Sequence, residues 1–267
     1  MKKALLLLLL AGSVRAQEAK PAEDGQVAPS VAPPSEGRPA GAERFVEADA
    51  SYTNRDAPGE LEKVTASLTE AEQAAPADYE ALWRLARLYS WLSDDPAMAD
   101  KEKSRLGKIG WEIAERAIKA DPARVEGWHY AAVNMGNYSL GIGILKALGQ
   151  GIEGKFKDRL SHAEKLDPGF SGGAIPTAWG RFWFKLPWPK YDAKKSEKAL
   201  LEALRLNPDN VRARVYLADL HEEEGRKPKA REQLELAAGA QPGRYDAPEE
   251  RRYQEVAQQR LARPERR

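Results

Sequence analysis

Apolar residues recur at helical spacing through the chain from Phe45 onward. Leu82, Leu85, Ala86 and Tyr89, for example, are one to four positions apart, which places them on one face of an α-helix. No stretch shows the sustained alternation of apolar and polar residues that is typical of a half-buried strand. The pattern therefore predicts an all-α fold.

Prolines close the helical runs at regular intervals. Proline cannot continue a helix, so it commonly follows a helix C-terminus. The spacings between successive prolines of this kind are 46, 46, 40 and 34 residues. Their positions are Pro76, Pro122, Pro168, Pro208 and Pro242. Intervals of this length indicate an internal structural repeat.

Alanine recurs at two fixed distances from these prolines. It stands five residues before each of them, at Ala71, Ala117, Ala163, Ala203 and Ala237. It also stands ten residues after each of the first four, at Ala86, Ala132, Ala178 and Ala218. Close helix packing requires small residues at such points, because only a small side chain lets two helix backbones approach at their crossing. We interpret these nine alanines as repeat-packing positions.

This arrangement resembles the tetratricopeptide repeat (TPR), in which antiparallel helix pairs recur every 34 residues and proline follows the second helix. The resemblance implies a right-handed superhelix with a concave inner surface, because each pair buries its apolar face only against its neighbours. We predict a repeat domain over 44–242, then a capping helix near 248–262 and a basic tail within 243–267. The helix pairs are expected at 44–55 with 58–75, 78–93 with 101–121, 124–139 with 153–166, 171–185 with 192–207, and 209–224 with 228–240.

The N-terminal segment has the pattern of a secretory signal peptide. Two lysines precede the nine-residue apolar run 4–12, and Val14 and Ala16 supply the small residues of a cleavage site. The run is far shorter than the roughly 20 residues that a membrane-spanning helix needs. We therefore predict a signal peptide over 1–16, cleavage after Ala16, and export to the periplasm.

The next segment, 17–43, has five prolines and no aromatic residue. Such a composition cannot bury enough apolar surface to order the chain. We predict that this segment is a disordered tether.

The composition excludes several classes of function. Lys and Arg number 42 against 41 Asp and Glu, so the chain lacks the basic surplus that is typical of nucleic-acid-binding proteins. It contains no cysteine, which excludes disulfides, thiolate metal sites, a cysteine nucleophile and a lipid anchor attached to cysteine.

Motifs for catalysis and cofactor binding are also absent. The three histidines are isolated and form no His-Glu-x-x-His pair. Segment 149–155 approaches the phosphate-binding pattern Gly-x4-Gly-Lys, but Phe156 replaces the Ser or Thr that would bind magnesium, and no strand precedes it. We predict no catalytic residue, no metal site and no cofactor. An enzyme would need titratable groups that converge from distant repeats.

Two proline spacings exceed the TPR length by 12 residues, which indicates insertions within the helix pairs. The first, around 94–107, is charged, and we interpret it as an extended solvated turn. The second, 140–154, is apolar and rich in glycine, and it includes Ile144 and Leu148. An apolar insertion of this kind either extends the core or lines a cavity, where it would contact a ligand or a partner.

A third departure is the aromatic segment 179–191. Trp179, Phe182 and Trp183 share one helical face, which is more often core than binding site. Trp188 lies between two prolines in a predicted loop, where tryptophan commonly marks an interface or a pocket mouth. We select Trp179, Trp183 and Trp188 as candidate ligand or partner contacts.

Three polar residues on one aromatic helix are further candidates. Asn134, Asn137 and Tyr138 could orient the polar end of a ligand at a cavity mouth. The competing interpretation is that the amides satisfy buried backbone groups.

Four segments resemble the T component of TRAP transporters, a periplasmic repeat protein: WRLARLY at 83–89, VNMGNY at 133–138, GILKAL at 143–148 and GRFWFKLP at 180–187. The resemblance covers about 44–242. It implies a non-enzymatic helper with an internal hydrophobic cavity, association with a periplasmic solute-binding protein, and a homotrimer. Those proteins are typically lipoproteins, and this chain has no lipid-acceptor cysteine, so a free periplasmic protein is expected.

The same segments are similar to eukaryotic regulators of microtubule dynamics, but the bacterial-type signal peptide favours the periplasmic protein. An alternative function is a structural envelope adaptor. It would bind an extended peptide or an exported protein on its concave face and would hold no small ligand.

Overall fold

The computed structural model describes residues 41–243 and 245–263, which belong to one compact unit. The predicted signal peptide and almost all of the predicted tether lie outside the described residues. After a 3₁₀ turn, Ala42–Phe45, the described residues form twelve α-helices. These are α1 Val46–Thr53, α2 Glu60–Ala74, α3 Tyr79–Ser93, α4 Asp100–Ala120, α5 Val125–Ile142, α6 Ile144–Gly149, α7 Ile152–Leu166, α8 Phe170–Lys185, α9 Ala193–Leu206, α10 Val211–Glu223, α11 Lys227–Ala238 and α12 Ala247–Leu261.

The helices form a superhelix of antiparallel pairs. The pairs are α1 with α2, α3 with α4, α5 with α7, α8 with α9, and α10 with α11, while α12 packs on α10 and α11. No strand occurs in the part of the chain that the structure describes. The prediction of an all-α fold of paired helices is confirmed.

Three of the second helices, α4, α7 and α9, end in a shared local geometry. The residue before the proline is extended, with φ −149° and ψ 94° at Asp121, φ −154° and ψ 93° at Asp167, and φ −138° and ψ 97° at Asn207, because proline disfavours the helical conformation there. The N–H of Asp121 still donates to the carbonyl of Ala117 at 2.9 Å. The prolines therefore stop the helices without leaving this backbone group unpaired.

The helix crossings are built from small residues. Seven of the nine repeat alanines have no exposed surface, whereas Ala71 and Ala178 are half-buried. At the fourth pair a glycine makes the close approach. A Cβ on Gly180 would lie 2.5 Å from Cγ of Leu200, so α8 and α9 contact each other through a bare backbone at this point. The fully buried alanines are Ala86, Ala117, Ala132, Ala163, Ala203, Ala218 and Ala237.

The first insertion differs from its interpretation as an extended turn. Residues from Asp100 onward are the first turns of α4, which has 21 residues. Gly107 and Gly110 explain this, because both press against α5: a Cβ on Gly107 would lie 2.6 Å from the backbone nitrogen of Tyr138. Packing against α5 thus keeps the charged segment helical. Among the described residues, no helix combines the length and apolar character needed to cross a membrane.

Candidate functional site

The inner helices of the superhelix surround a cavity of about 590 Å³. Its walls come chiefly from α3, α5, α8 and α10, which are the first helices of their pairs, together with α6, the start of α7, and α12. Tyr52 of α1 and Lys103 of α4 also contribute, so the cavity is assembled mainly, but not entirely, from the inner helices.

Ion pairs join the two ends of the superhelix and close the ring around this cavity. Asp246, just before α12, accepts a hydrogen bond from Arg55 at 2.5 Å, and Arg251 of α12 pairs with Asp56 at 2.6 Å. The guanidinium of Arg55 also stacks between two aromatic rings, 4.1 Å from the centre of Tyr52 and 4.0 Å from that of Trp91. The last helix is therefore held against the first repeats.

One part of the cavity wall is apolar and depends on α6. Gly143, with φ 89° and ψ 133°, ends α5, and Gly151, with φ 70°, precedes α7, so the insertion folds back as a short separate helix. Ile144 and Leu148 of α6 line the cavity. The other apolar residues of this wall are Leu140, Ile152, Phe156, Phe182 and Leu186.

Another part of the wall is polar and is centred on Arg212. Its guanidinium donates to Asp94 at 2.7 Å and to Glu249 at 2.6 Å, and the hydroxyl of Tyr253 donates to Asp94 at 3.0 Å. Burial disfavours the charge on Arg212, but the two carboxylates outweigh burial and raise its pKa. Burial raises the pKa of Glu249 to about 7, and Arg212 offsets only part of this effect.

A second ionic cluster adjoins the first. Asp219 accepts from Arg181 at 2.5 Å and from Arg260 at 2.7 Å. The guanidinium of Arg181 lies 4.2 Å from the ring centre of Tyr216, whose hydroxyl is 2.8 Å from that of Tyr253. Side chains of α8, α10 and α12 are thereby joined in one network.

His129 of α5 also lines the cavity and is 5% exposed. Its ring lies 5.0 Å from that of Tyr130 and 5.1 Å from that of Phe170. Burial, with a contribution from the nearby Arg212 charge, lowers the pKa of His129 to about 3. The imidazole is therefore neutral at physiological pH.

Three nitrogens in the cavity wall have no hydrogen-bond partner among the described residues. They are Nδ1 of His129, Nε of Arg181 and Nε of Arg212, and all three are buried. Buried polar groups are normally satisfied, so these atoms are candidates for contact with a bound molecule.

Of the three predicted polar candidates, only Asn137 lines the cavity. Its amide donates to Ser93 Oγ at 2.8 Å. Asn134 does not lie at the mouth. It has no exposed surface, and its side-chain amide donates to the carbonyls of Ala86 and Tyr130, both at 2.9 Å. These bonds agree with the interpretation that such amides satisfy buried backbone groups. Tyr138 also lies outside the cavity wall.

The aromatic candidates lie on the outside of α8 and in the loop after it. Trp179 stacks on Trp183 with ring centres 6.2 Å apart, and neither contributes to the cavity wall. Trp188 is 89% exposed. These tryptophans therefore belong to the outer surface near α7 and α8.

Sequence reasoning missed the charged residues of the cavity, chiefly Asp94, Arg181, Arg212, Asp219 and Glu249. A weak signal was present for Arg181, which interrupts a largely apolar stretch of α8. The partners of these charged residues are far away in the sequence, so no local spacing could identify them. The described residues contain no group of three or more acidic or histidine side chains placed to hold a metal ion.

Comparison with solved structures identifies the architecture. A thermophilic TPR protein from Thermus thermophilus is 20% identical, and the alignment covers 80% of this chain and 98% of that one with a TM-score of 0.59. This chain has a TPR-like fold. A structure of pilF from Pseudomonas aeruginosa is also similar to the TPR-like chain. It is 17% identical over 82% of this chain and 92% of that one, but its TM-score of 0.49 is too low to support an argument.

Sequence comparison adds a family similarity. The family described as Regulator of microtubule dynamics protein 1-3 matches residues 45–172 of the TPR-like chain. This range contains α6 and the helices on either side of it. No curated protein matches the sequence at a significant level.

Proposed function

We propose that this TPR-like protein is a non-enzymatic binding protein of the periplasm that holds a hydrophobic ligand and associates with an exported partner. The observation that carries the proposal is the cavity of about 590 Å³ with its apolar wall. Ligand pockets are typically about 300 to 1,000 Å³ and are mostly apolar with a few polar groups. The cavity lies within this size range and has an extensive apolar wall beside its charged one.

The two walls define the chemistry of the ligand. The apolar wall built around Ile144 and Leu148 suits a hydrocarbon group. The unpartnered nitrogens of His129, Arg181 and Arg212 suit a polar end that bears oxygen atoms. We therefore propose an amphipathic ligand such as a long-chain acid or ester.

The partner follows from the fold and from the resemblance to the T component of TRAP transporters. TPR-like superhelices commonly present extended surfaces to other proteins. Here the Arg55–Asp246 pair closes the ring, so we expect a protein partner on the outer surface rather than inside. We propose a periplasmic solute-binding protein as this partner and a homotrimer as the assembly.

The ligand proposal predicts that a larger side chain in the cavity wall weakens ligand binding. Val133 lines the cavity and is half-buried, whereas Val46 is 48% exposed on α1. We expect Val133→Phe to lower the affinity for a dansyl-labelled long-chain fatty acid at least tenfold, because the added ring occupies the ligand's volume. Fluorescence titration measures this affinity, and native mass spectrometry of the purified protein detects ligand that copurifies.

Val46→Phe is the matched control and should bind the probe like the wild type. Absence of copurified ligand, together with no probe uptake by the wild type, would contradict the ligand proposal. An empty cavity in a protein that captures an exported peptide would favour the envelope adaptor. A strict monomer at micromolar concentration in native mass spectrometry would contradict the trimer.

A further inference from the structure

The two most exposed large apolar side chains of the described residues are Trp188, at 89%, and Leu145, at 75%. The other exposed large apolar side chains range from 43% to 52%. Large exposed apolar groups in a folded protein commonly mark a binding surface.

The segments that carry these two residues adjoin each other. Lys190, two residues after Trp188, forms an ion pair with Glu153 in the first turn of α7. Glu153 follows α6, the helix that carries Leu145, by four residues. The loop after α8 therefore adjoins the junction of α6 and α7. We call this surface, formed by segments 144–157 and 183–195, the Trp188 face.

The Trp188 face is strongly basic. Its two segments contain seven lysines, of which all but Lys185 lie outside the cavity wall, and two acidic residues, in a chain with 42 Lys and Arg against 41 Asp and Glu. Two lysines lie over one tryptophan: the ammonium groups of Lys157 and Lys195 are 5.3 Å and 4.4 Å from the ring centre of Trp183. Cations and indole rings are therefore interleaved on this surface.

We propose that the Trp188 face docks on the surface of an anionic phospholipid bilayer. In this arrangement Trp188 and Leu145 enter the interfacial layer of the membrane, and the lysines contact lipid phosphates. Tryptophan is enriched at membrane–water interfaces, and clustered lysines are attracted to anionic lipids.

A membrane explains the composition of this face better than a protein partner does. The centres of protein–protein interfaces are enriched in tryptophan but depleted in lysine. An anionic bilayer accepts both, because indoles reside at the headgroup level while lysine ammonium groups remain in water.

The docking would also bring the cavity close to lipid. Ile144 and Leu148, which line the cavity, flank Leu145 on α6, and the cavity-lining Leu186 is two residues from Trp188. The apolar wall of the cavity thus lies next to the proposed contact. The docking itself does not depend on an occupied cavity.

Vesicle flotation with the full chain tests the proposal. We expect binding to vesicles of phosphatidylglycerol and phosphatidylcholine, weakened by added salt, and little binding to phosphatidylcholine alone. Trp188→Ala should weaken partitioning about tenfold, because an apolar contact is lost. Lys146→Gln and Lys194→Gln should each weaken it about fivefold.

Matched substitutions on α11, Leu236→Ala and Lys229→Gln, are the controls and should partition like the wild type. Both positions are exposed, and Leu236 is 45% exposed. Since the chain has no cysteine, an environment-sensitive dye can be attached at Leu145→Cys or at Leu236→Cys. Anionic vesicles should increase the emission of the dye at position 145 and leave that at position 236 unchanged.

Failure of the wild type to bind anionic vesicles would overturn the proposal, as would binding that is unchanged in Trp188→Ala. Trp188-dependent binding to an acidic protein without binding to vesicles would overturn it in favour of a protein interface. Uptake of the fatty acid probe by Trp188→Ala reports on the cavity separately, so failure of docking and failure of ligand binding can be distinguished.

Discussion

At the scale of single residues, the cavity holds charges that are paired only because distant residues meet. Arg212 of α10 is neutralised by Asp94, which follows α3, and by Glu249 of α12. Removing both carboxylates would leave the Arg212 charge uncompensated in a low-dielectric site, which is costly. His129 in the same cavity wall is neutral chiefly because burial disfavours its charged form, and the charge on Arg212 adds to this effect.

The neutrality of His129 predicts a specific dependence of stability on pH. Its pKa is about 3 in the fold against an ordinary value of 6.5. Between these values the unfolded chain binds a proton that the folded chain does not, so the free energy of unfolding falls as pH falls below 6.5. At pH 5 the loss should be on the order of 2 kcal/mol.

Urea unfolding of His129→Phe at pH 7 and pH 5 measures this contribution. Because phenylalanine does not titrate, the difference in unfolding free energy between the two pH values should shrink by that amount. His162→Phe is the control at an exposed position, with 44% of the histidine side chain accessible. An identical pH dependence in His129→Phe and the wild type would rule out this explanation.

At the scale of helices, glycine decides how closely α4 and α5 approach. A Cβ on Gly110 would lie 2.3 Å from Oδ1 of Asn134 and 2.7 Å from Cβ of Tyr89. The proline and alanine pattern predicted the helices that meet at Gly110. For α3, which carries Tyr89, it predicted 78–93, and the structure has Tyr79–Ser93. The same pattern did not predict α6, because a six-residue helix produces too little periodicity to recognise.

The close approach at Gly110 predicts that Gly110→Ala destabilises the protein by about 1 to 3 kcal/mol through overpacking. Gly149→Ala is the matched control, because a Cβ at that position would have no neighbouring atom within 4 Å. It should leave stability unchanged or slightly raised, as alanine favours helix. Chemical denaturation measures both variants, and equal stability of the two would contradict the packing argument.

At the scale of the whole molecule, the superhelix closes on itself through α12. The Arg55 side chain is 1% exposed and the Asp246 side chain 26%, so this pair lies much deeper than the pair of Arg251 and Asp56, at 46% and 33%. Buried ion pairs lose more free energy than exposed ones when one partner is removed. The closure of the ring therefore depends mainly on Asp246.

We expect Asp246→Asn to lower the free energy of unfolding by about 2 to 3 kcal/mol, because it removes the carboxylate that contacts the buried Arg55. Asparagine keeps an oxygen that can cap α12, where Asp246 accepts from the N–H of Glu249 at 3.2 Å. Hydrogen exchange should become faster in α12. The control Asp56→Asn should cost less than about 1 kcal/mol, and equal effects of both variants would contradict the assigned role of the buried pair.

The sequence by itself determined the repeat, the helix pairs and their small-residue crossings. These features depend on periodicity, proline and alanine within about one repeat length, and such local preferences can be read along the chain. Only the tertiary structure decided that α6 lines a cavity, that Asn134 is buried away from it, and that Arg55 meets Asp246 across 191 positions. The physical reason is that the curvature of the superhelix sums small rotations over every repeat, and this sum determines which distant charges and apolar faces come together.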